Sequence, residues 1–316
     1  MDWLITGGCG FIGAHLAAHL LAEGGHTIRI LDDGSAAASG LVELGVDAAR
    51  IEIHRADVRA GDAVADAAAG AQAIVHLAGA TGVARSLADP LGDAQANVLG
   101  SLNVLEAARR TGARVVLAST TGPLIGTATR IDEQTLPAPA VPYGASKLAA
   151  EAYCRAYAES FGVATCVLRL TNVYGPASAH KAGAATRFLA DGLAGGTLTI
   201  TGDGRQTRDF LYVADVVRAL HLAATHPAAP GQTFQIATGR ATSINALAAA
   251  VQRLLRDRGH PVPALTHVPA RPAEVRATVA SPAKARKQLG WAAEVGLADG
   301  LARTYADLAR NLEGTV

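Results

Sequence analysis

The segment Thr6-Gly7-Gly8-Cys9-Gly10-Phe11-Ile12-Gly13 constrains this chain more than any other stretch. An apolar β-like run at residues 3–6 leads into it, and a helical pattern over 11–23 leaves it. Glycines at 7, 10 and 13 permit a tight turn and a close backbone approach. The helix that follows offers free N–H groups and the positive end of its dipole to a pyrophosphate. A glycine triplet alone is weak, but here a strand precedes it, a helix follows it, and an acid stands at the right distance. That acid is Asp32, 19 residues past Gly13, at the end of the second β-like run. A carboxylate there accepts hydrogen bonds from the adenosine ribose and repels a 2′-phosphate, which favours NAD over NADP. Asp33 is placed to share the task.

The same pattern continues. β-like runs at 27–31, 51–54, 73–77, 114–118 and 164–170 alternate with helical patterns at 62–69, 93–110 and 143–161. Strands alternating with helices of this length imply βαβ units and a parallel sheet. The class expected is therefore α/β, a Rossmann-type doubly wound sheet over residues 1–174. A smaller α/β substrate-binding domain is expected over 175–316. Helices are expected there near 184–194, 213–225, 243–258 and 297–312. A segment near 202–240 is expected to return to the main sheet, because 234–236 reads as one more strand.

Composition narrows the function classes. The 316 residues carry a net charge of +1, with 17% charged and 50% apolar side chains. That balance excludes a disordered chain, which combines low hydrophobicity with high net charge. It also argues against nucleic-acid binding, which draws on a basic surplus. No uninterrupted apolar stretch reaches the ~18 residues of a membrane span. No signal-peptide core is evident. Cys9, Cys154 and Cys166 stand in no metal-ligand spacing, so a reducing compartment, the cytoplasm, is expected. His15 and His19 share a helix face at i,i+4, but no third ligand is evident in the sequence, and no metal is expected.

Tyr143 and Lys147 also stand at i,i+4 and share one face. A tyrosine titrates near ~10, and a neighbouring ammonium or a bound nicotinamide cation lowers that value by favouring the phenolate. The pair can thus supply a general base. Ser119-Thr120-Thr121 follows directly on the strand 114–118, and hydroxyls at that end of a parallel strand face the ligand crevice.

These residues, with Ala56-Asp57-Val58, His76-Leu-Ala78, Asn97-Val-Leu-Gly100, Arg169-Leu-Thr-Asn-Val-Tyr-Gly-Pro176, Gly202-Asp-Gly-Arg-Gln-Thr-Arg-Asp-Phe210 and Arg271-Pro-Ala-Glu-Val-Arg276, carry a resemblance. The chain resembles the extended short-chain dehydrogenase/reductase family and, within it, the NAD-dependent nucleotide-sugar epimerases and dehydratases. The resemblance implies Tyr143 as base, Lys147 as its tuning partner and ribose ligand, and Thr121 as the catalytic hydroxyl. It adds Phe11, Ile12, Asp57, Val58, Leu77, Ala78, Gly79, Asn97 and Ser119 to the cofactor site. It implies Ser86, Thr121, Tyr143, Asn172, Thr199, Arg208, Arg271 and Glu274 as substrate contacts. It further implies a homodimer through the helices at 93–110 and 143–161.

The resemblance also bears on the reaction. Dehydratases of this group carry Asp-Glu just after the threonine, and the related decarboxylases carry a glutamate two positions after it. Here those positions are Gly122 and Pro123, neither of which moves a proton. Ketoreductases of the group take NADPH, which Asp32 disfavours. The reaction expected is 4-epimerisation of a nucleotide-diphosphate sugar, UDP-glucose/UDP-galactose first and UDP-glucuronate second. A dehydratase, a 4-ketoreductase and a non-catalytic NAD sensor are the other readings. His180-Lys181 and Gly82-Val83-Ala-Arg85-Ser86 are the segments placed to read the sugar. Leu124-Ile125-Gly126 and Thr201 replace aromatic positions of many relatives.

Overall fold

The computed structural model describes residues 1–35, 39–126, 131–179, 183–270 and 277–313. Six strands form in the first part of the chain: β1 (Asp2–Thr6), β2 (Thr27–Asp32), β3 (Glu52–Arg55), β4 (Ala73–His76), β5 (Arg114–Thr120) and β6 (Thr165–Leu170). A seventh, β7 (Gln232–Ile236), joins the same sheet from much later in the chain. The order is β7-β6-β5-β4-β1-β2-β3, and every pair is parallel. The order reverses between β1 and β4, and a crevice opens beyond the carboxyl ends of strands at such a switch point. Register puts Thr6 level with both Leu31 and His76 at that point.

The sheet is buried on both faces because its side chains alternate between two apolar layers. Trp3, Ile5, Ile28, Ile30 and Val75 point to one face. Helices α1 (Phe11–Glu23) and α5 (Val213–Thr225) cover it through Leu16, Leu20, Val216 and Leu220. Leu4, Leu31, Ile74, Val115 and Leu117 point to the other. There α2 (Gly61–Ala67), α3 (Gly100–Thr111) and α4 (Pro142–Phe161) supply Val64, Val104, Leu105 and Ala150. A third cluster, including Phe188, Leu198, Ile200, Phe210, Leu247 and Val251, fills the later half. It is gathered by helices Ala184–Leu193, Ile244–Asp257 and Leu297–Glu313 around a parallel pair, Leu198–Thr201 with Leu265–Val268.

The pattern expected at 93–110 forms a longer unit. A short helix, Pro90–Ala94, is capped by Asp89, whose Oδ1 accepts from Gly92 N at 2.9 Å. It passes through a π-turn, Gln95–Leu99, into α3. π-turns arise where a helix widens by one residue, often at a functional site. This one holds Asn97 at the sheet's switch point.

Several elements were not foreseen, and three of them follow strands of the main sheet. Helix Val83–Ala88 follows β4, and helix Gly122–Ile125 follows β5. The third is a parallel pair of three-residue strands, Asn172–Tyr174 with Phe210–Tyr212. Such short segments lack the length over which a periodicity can be read.

Candidate active site

The glycine loop is built by contact as much as by conformation. Gly7 has φ +69°, and a Cβ there would lie 2.7 Å from the backbone nitrogen of Ala78. A Cβ on Gly13 would lie 2.6 Å from the Gly7 carbonyl. Loop, helix start and the end of β4 are therefore packed backbone to backbone. Gly10 caps α1 without a side-chain acceptor, so the first-turn amides of Phe11, Ile12 and Gly13 lack one. An anion is the natural partner for such a terminus. Phe11 itself is buried in the third apolar cluster.

Asp32 lies beside this loop. Its Oδ2 accepts from Cys9 N at 3.0 Å and its Oδ1 from Gly34 N at 2.9 Å. Burial pushes its carboxyl up from the ordinary value, against the pull of those two amides and Arg55. Asp33 is exposed and accepts from Ser35 N at 2.9 Å. Asp57 forms an ion pair with Arg59, whose side-chain hydrogen bond holds the carboxyl below its usual range. Val58 is buried beneath Gly100, where a Cβ would meet it at 2.6 Å.

The turn after β4 completes the cradle. Leu77 N donates to the Thr6 carbonyl at 3.0 Å, and Ala78 N donates to Thr6 Oγ1 at 3.2 Å. Gly79 approaches Asn97 so closely that a Cβ would lie 2.4 Å from Asn97 Oδ1. Asn97 Nδ2 donates to the Ala80 carbonyl, Asp93 Oδ1 and Ser146 Oγ at 3.0, 3.2 and 3.0 Å. Its Oδ1 is buried with no hydrogen-bond partner among the described residues. His76, wholly buried, is driven down to about 3 by desolvation and is neutral at physiological pH.

Tyr143 and Lys147 project from the first turns of α4, which starts with Pro142 at its first position. Gly144 lets this helix start lie against the chain after β5; a Cβ there would sit 2.0 Å from the Pro123 carbonyl. Lys147 is buried, and its Nζ donates to the Ala118 carbonyl at 3.1 Å. Desolvation lowers it to about 8, against the opposing pull of Asp93 and Glu151. Tyr143 is pushed up to about 12, mainly by burial, although a hydrogen bond with the Thr120 side chain works the other way. The lowering expected from Lys147 is not what dominates here. Burial and the Asp93 carboxylate raise Tyr143, and the ammonium is engaged at the end of β5.

The hydroxyls at that end of β5 are divided differently from expectation. Thr121 is fully buried and donates to Gln235 Oε1 at 2.9 Å and to the Arg169 carbonyl at 3.2 Å. The backbone turns at Thr121 (φ −90°, ψ −67°) into helix Gly122–Ile125, which aims its side chain back at β6 and β7. Thr120 is the residue whose side chain acts on Tyr143 and pulls its hydroxyl down against burial. Ser119, expected at the cofactor, donates to Glu151 Oε1 at 2.5 Å in a buried network. Ser86, expected at the sugar, is fully buried, and its Oγ donates to the Val83 carbonyl at 2.9 Å within its own helix turn.

On the far side of the crevice, Asn172 is exposed, and both its N and its Nδ2 donate to the Asp209 carbonyl, at 3.0 and 3.3 Å. Arg208 is partly buried, with Nη1 on the Thr207 carbonyl at 2.9 Å. Thr199 is partly buried, and its carbonyl accepts from Arg187 Nη2 at 2.9 Å. Arg271, Glu274 and His180-Lys181 lie outside the described residues. Leu124 and Ile125 are buried in a small cluster with Ile131, Ala237 and Ala280. Asp93 and Ser146 were missed, yet Ser146 donates to Asp93 Oδ2 at 2.5 Å and locks α4 onto the helix Pro90–Ala94. Ser146 lies inside the Tyr-Gly-Ala-Ser-Lys string, which is the signal that could have found it.

The family model described as NAD dependent epimerase/dehydratase family matches residues 3–237. The chain belongs to that family. It is 37% identical over 310 residues to the UDP-glucose 4-epimerase of Mycolicibacterium smegmatis, covering 96% of this chain and 97% of the relative. A UDP-glucose 4-epimerase from Thermotoga maritima, solved with UDP-glucose, superposes with a TM-score of 0.90 at 30% identity, covering 99% of this chain and all of that one. A UDP-glucuronic acid 4-epimerase from Bacillus cereus, solved with UDP-glucuronic acid and NAD, superposes at 0.89 with 27% identity, covering 98% of this chain and all of that one. Family membership brings NAD as the cofactor. The uncapped helix terminus, the buried Asp32 and the orphaned Asn97 oxygen fit such a dinucleotide.

Proposed function

We propose that this chain is an NAD-dependent nucleotide-sugar 4-epimerase acting on UDP-glucose and UDP-galactose. NAD, when bound, accepts and returns a hydride at the sugar C4. The chain supplies the rest. Asp32 offers its remaining lone pairs to the adenosine ribose, and the start of α1 holds the pyrophosphate. Lys147 binds the nicotinamide ribose. Tyr143 takes the proton from the C4 hydroxyl and gives it back, and Thr120 orients it. With its hydroxyl held near 12 by burial, Tyr143 stays protonated until positive charge is brought beside it. Base strength is thereby tied to a loaded site. Asn172 and Arg208 anchor the diphosphate from the far wall, together with Arg271 and Glu274. Residues 175–316, joined by Asn172, provide this wall, and residues 1–174 with the returning strand provide the cofactor site.

The observation that carries the epimerase reading is the make-up of the turn after β5. Elimination of water or carbon dioxide needs a proton-moving side chain beside the catalytic hydroxyl. Here Gly122 packs against Thr278, Pro123 sits over Gly144, and Leu124 and Ile125 go into the core. Among the described residues of that turn no side chain moves a proton, which leaves the task to Tyr143. Incubation with UDP-glucose or UDP-glucuronate, followed by chromatography and mass spectrometry, tests this. An equal-mass C4 epimer of UDP-glucose is expected. An epimer from UDP-glucuronate alone would move the reading to the acidic sugar, and a lighter product or none would overturn it.

We further propose a cytoplasmic homodimer. Cys9, Cys154 and Cys166 are all free thiols. No helix among the described residues is long and apolar enough to cross a membrane. Leu87, Leu91 and Leu99 stay exposed on the helical run at 83–111, as do Tyr153 and Phe161 on α4. Exposed apolar side chains on adjoining helices favour association. Light scattering is expected to give twice the chain mass of 32.1 kDa. A monomer mass independent of concentration would count against this interface.

A further inference from the structure

Three imidazoles face one carboxylate at the other end of the sheet. Glu23 Oε2 lies 3.9 Å from His19 Nε2, 3.6 Å from His221 Nε2 and 3.5 Å from His26 Nε2. Among the described residues Glu23 has no arginine or lysine partner. His19 and Glu23 share a face of α1 at i,i+4, and His221 comes from α5, which packs beside it. We propose that His19, Glu23 and His221 form a binding site for a divalent transition-metal ion of the zinc type.

The geometry is close to what such an ion needs. The ligand atoms of these three residues all lie within 4.8 Å of one another. Zinc–nitrogen and zinc–oxygen bonds of about 2.0–2.2 Å in a tetrahedral site put donors about 3.3 Å apart. Side-chain movements of about 1 Å or less close the gap. The rings of His19 and His221 meet edge to face, 5.4 Å between centroids at 64°, so they converge rather than stack. His19 Nε2 is hidden from solvent and has no hydrogen-bond partner among the described residues. A buried polar atom left without a partner calls for one.

His26 serves as support. The Trp3 indole N–H donates to His26 Nδ1 at 3.3 Å, which leaves Nε2, 3.5 Å from Glu23 Oε2, as the ring nitrogen facing the carboxylate. Groups behind a ligating carboxylate help to orient it. Trp3 also flanks His221, 5.7 Å between ring centroids, and makes one wall apolar. A set rich in imidazole selects zinc, cobalt, nickel or copper over magnesium and calcium. The site lies near the amino ends of β1 and β2, whereas the cofactor crevice lies beyond their carboxyl ends. A bound ion would therefore tie α1 to α5 without meeting substrate.

The test uses the full chain freed of metal with a chelator. Titration calorimetry with zinc chloride is expected to show about one ion per chain, and zinc is expected to raise the melting temperature. Cobalt is expected to give the visible absorption of a tetrahedral site. His221→Gln and His19→Gln should each weaken zinc binding at least about tenfold while turnover stays unchanged. His54→Gln, which alters an imidazole paired with Glu52 elsewhere, should bind zinc like the parent. Absence of saturable binding in the parent chain, or unchanged binding in both site variants, would overturn the proposal.

Discussion

Tyr143→Phe is expected to lower kcat by about 10³-fold, within the range that a positioned acid–base group contributes. NAD affinity should change by no more than about twofold, because the ring remains and only a hydroxyl is lost. The hydroxyl's recorded partner is the Thr120 side chain, so its removal strands no buried ion. The protein should therefore fold and melt much like the parent. Single-turnover absorbance at the nicotinamide band measures the chemical step, and calorimetry with NAD measures binding. Thr120→Val should lower kcat by a smaller factor, about 10-fold, by removing the hydrogen bond that opposes the effect of burial. Thr121→Val should instead act on stability, since its hydroxyl serves Gln235 and the Arg169 carbonyl. A turnover loss larger for Thr121→Val than for Thr120→Val would return the catalytic hydroxyl to Thr121.

That contrast marks where the sequence stops being readable. The strands, the long helices and the returning strand at 232–236 follow from periodicity, because both faces of the sheet and one face of each helix are buried. The glycine loop and the Tyr143/Lys147 pair follow from spacing, because each works within one turn of chain. Thr120 and Thr121 are neighbours of the same chemical type. Which of them faces the crevice depends on how β5 turns into helix Gly122–Ile125, and on Gln235, 114 residues further along. Ser86, expected at the sugar, shows a related effect: a short helix turns its hydroxyl onto its own backbone. The His19 cluster needed His221, some 200 residues away, which no local pattern announces. Spacing also suggested a tyrosine softened by lysine, whereas burial raises it. Desolvation is a property of the packed site and has no signature in the order of residues.

The second large effect lies behind Lys147. Arg169 holds Glu151 with a fork of hydrogen bonds: Nε to Oε1 at 3.0 Å and to Oε2 at 3.1 Å, and Nη2 to Oε2 at 2.7 Å. Both side chains are more than nine-tenths buried, and Ser119 adds a third donor to the carboxylate. Arg169 Nη1 is already buried without a hydrogen-bond partner among the described residues. Truncating one member of such a pair leaves the other charged and unpaired in a dry site. Glu151→Ala is therefore expected to cost about 3–5 kcal/mol of folding stability, measured by urea unfolding. Replacing both partners removes the stranded charge. Glu151→Leu with Arg169→Met should recover most of that loss, because apolar residues of similar volume are often equal to or better than a buried ion pair. The double variant keeps the fold and still lacks the carboxylate that opposes the lowering of Lys147. Lys147 should then lose its proton at a lower pH, and the alkaline limb of the kcat profile should move to lower pH in the double variant. If stability recovers in the double variant and that limb stays in place, Glu151 is a structural pair only. If the limb moves as well, Glu151 also positions the charge on Lys147.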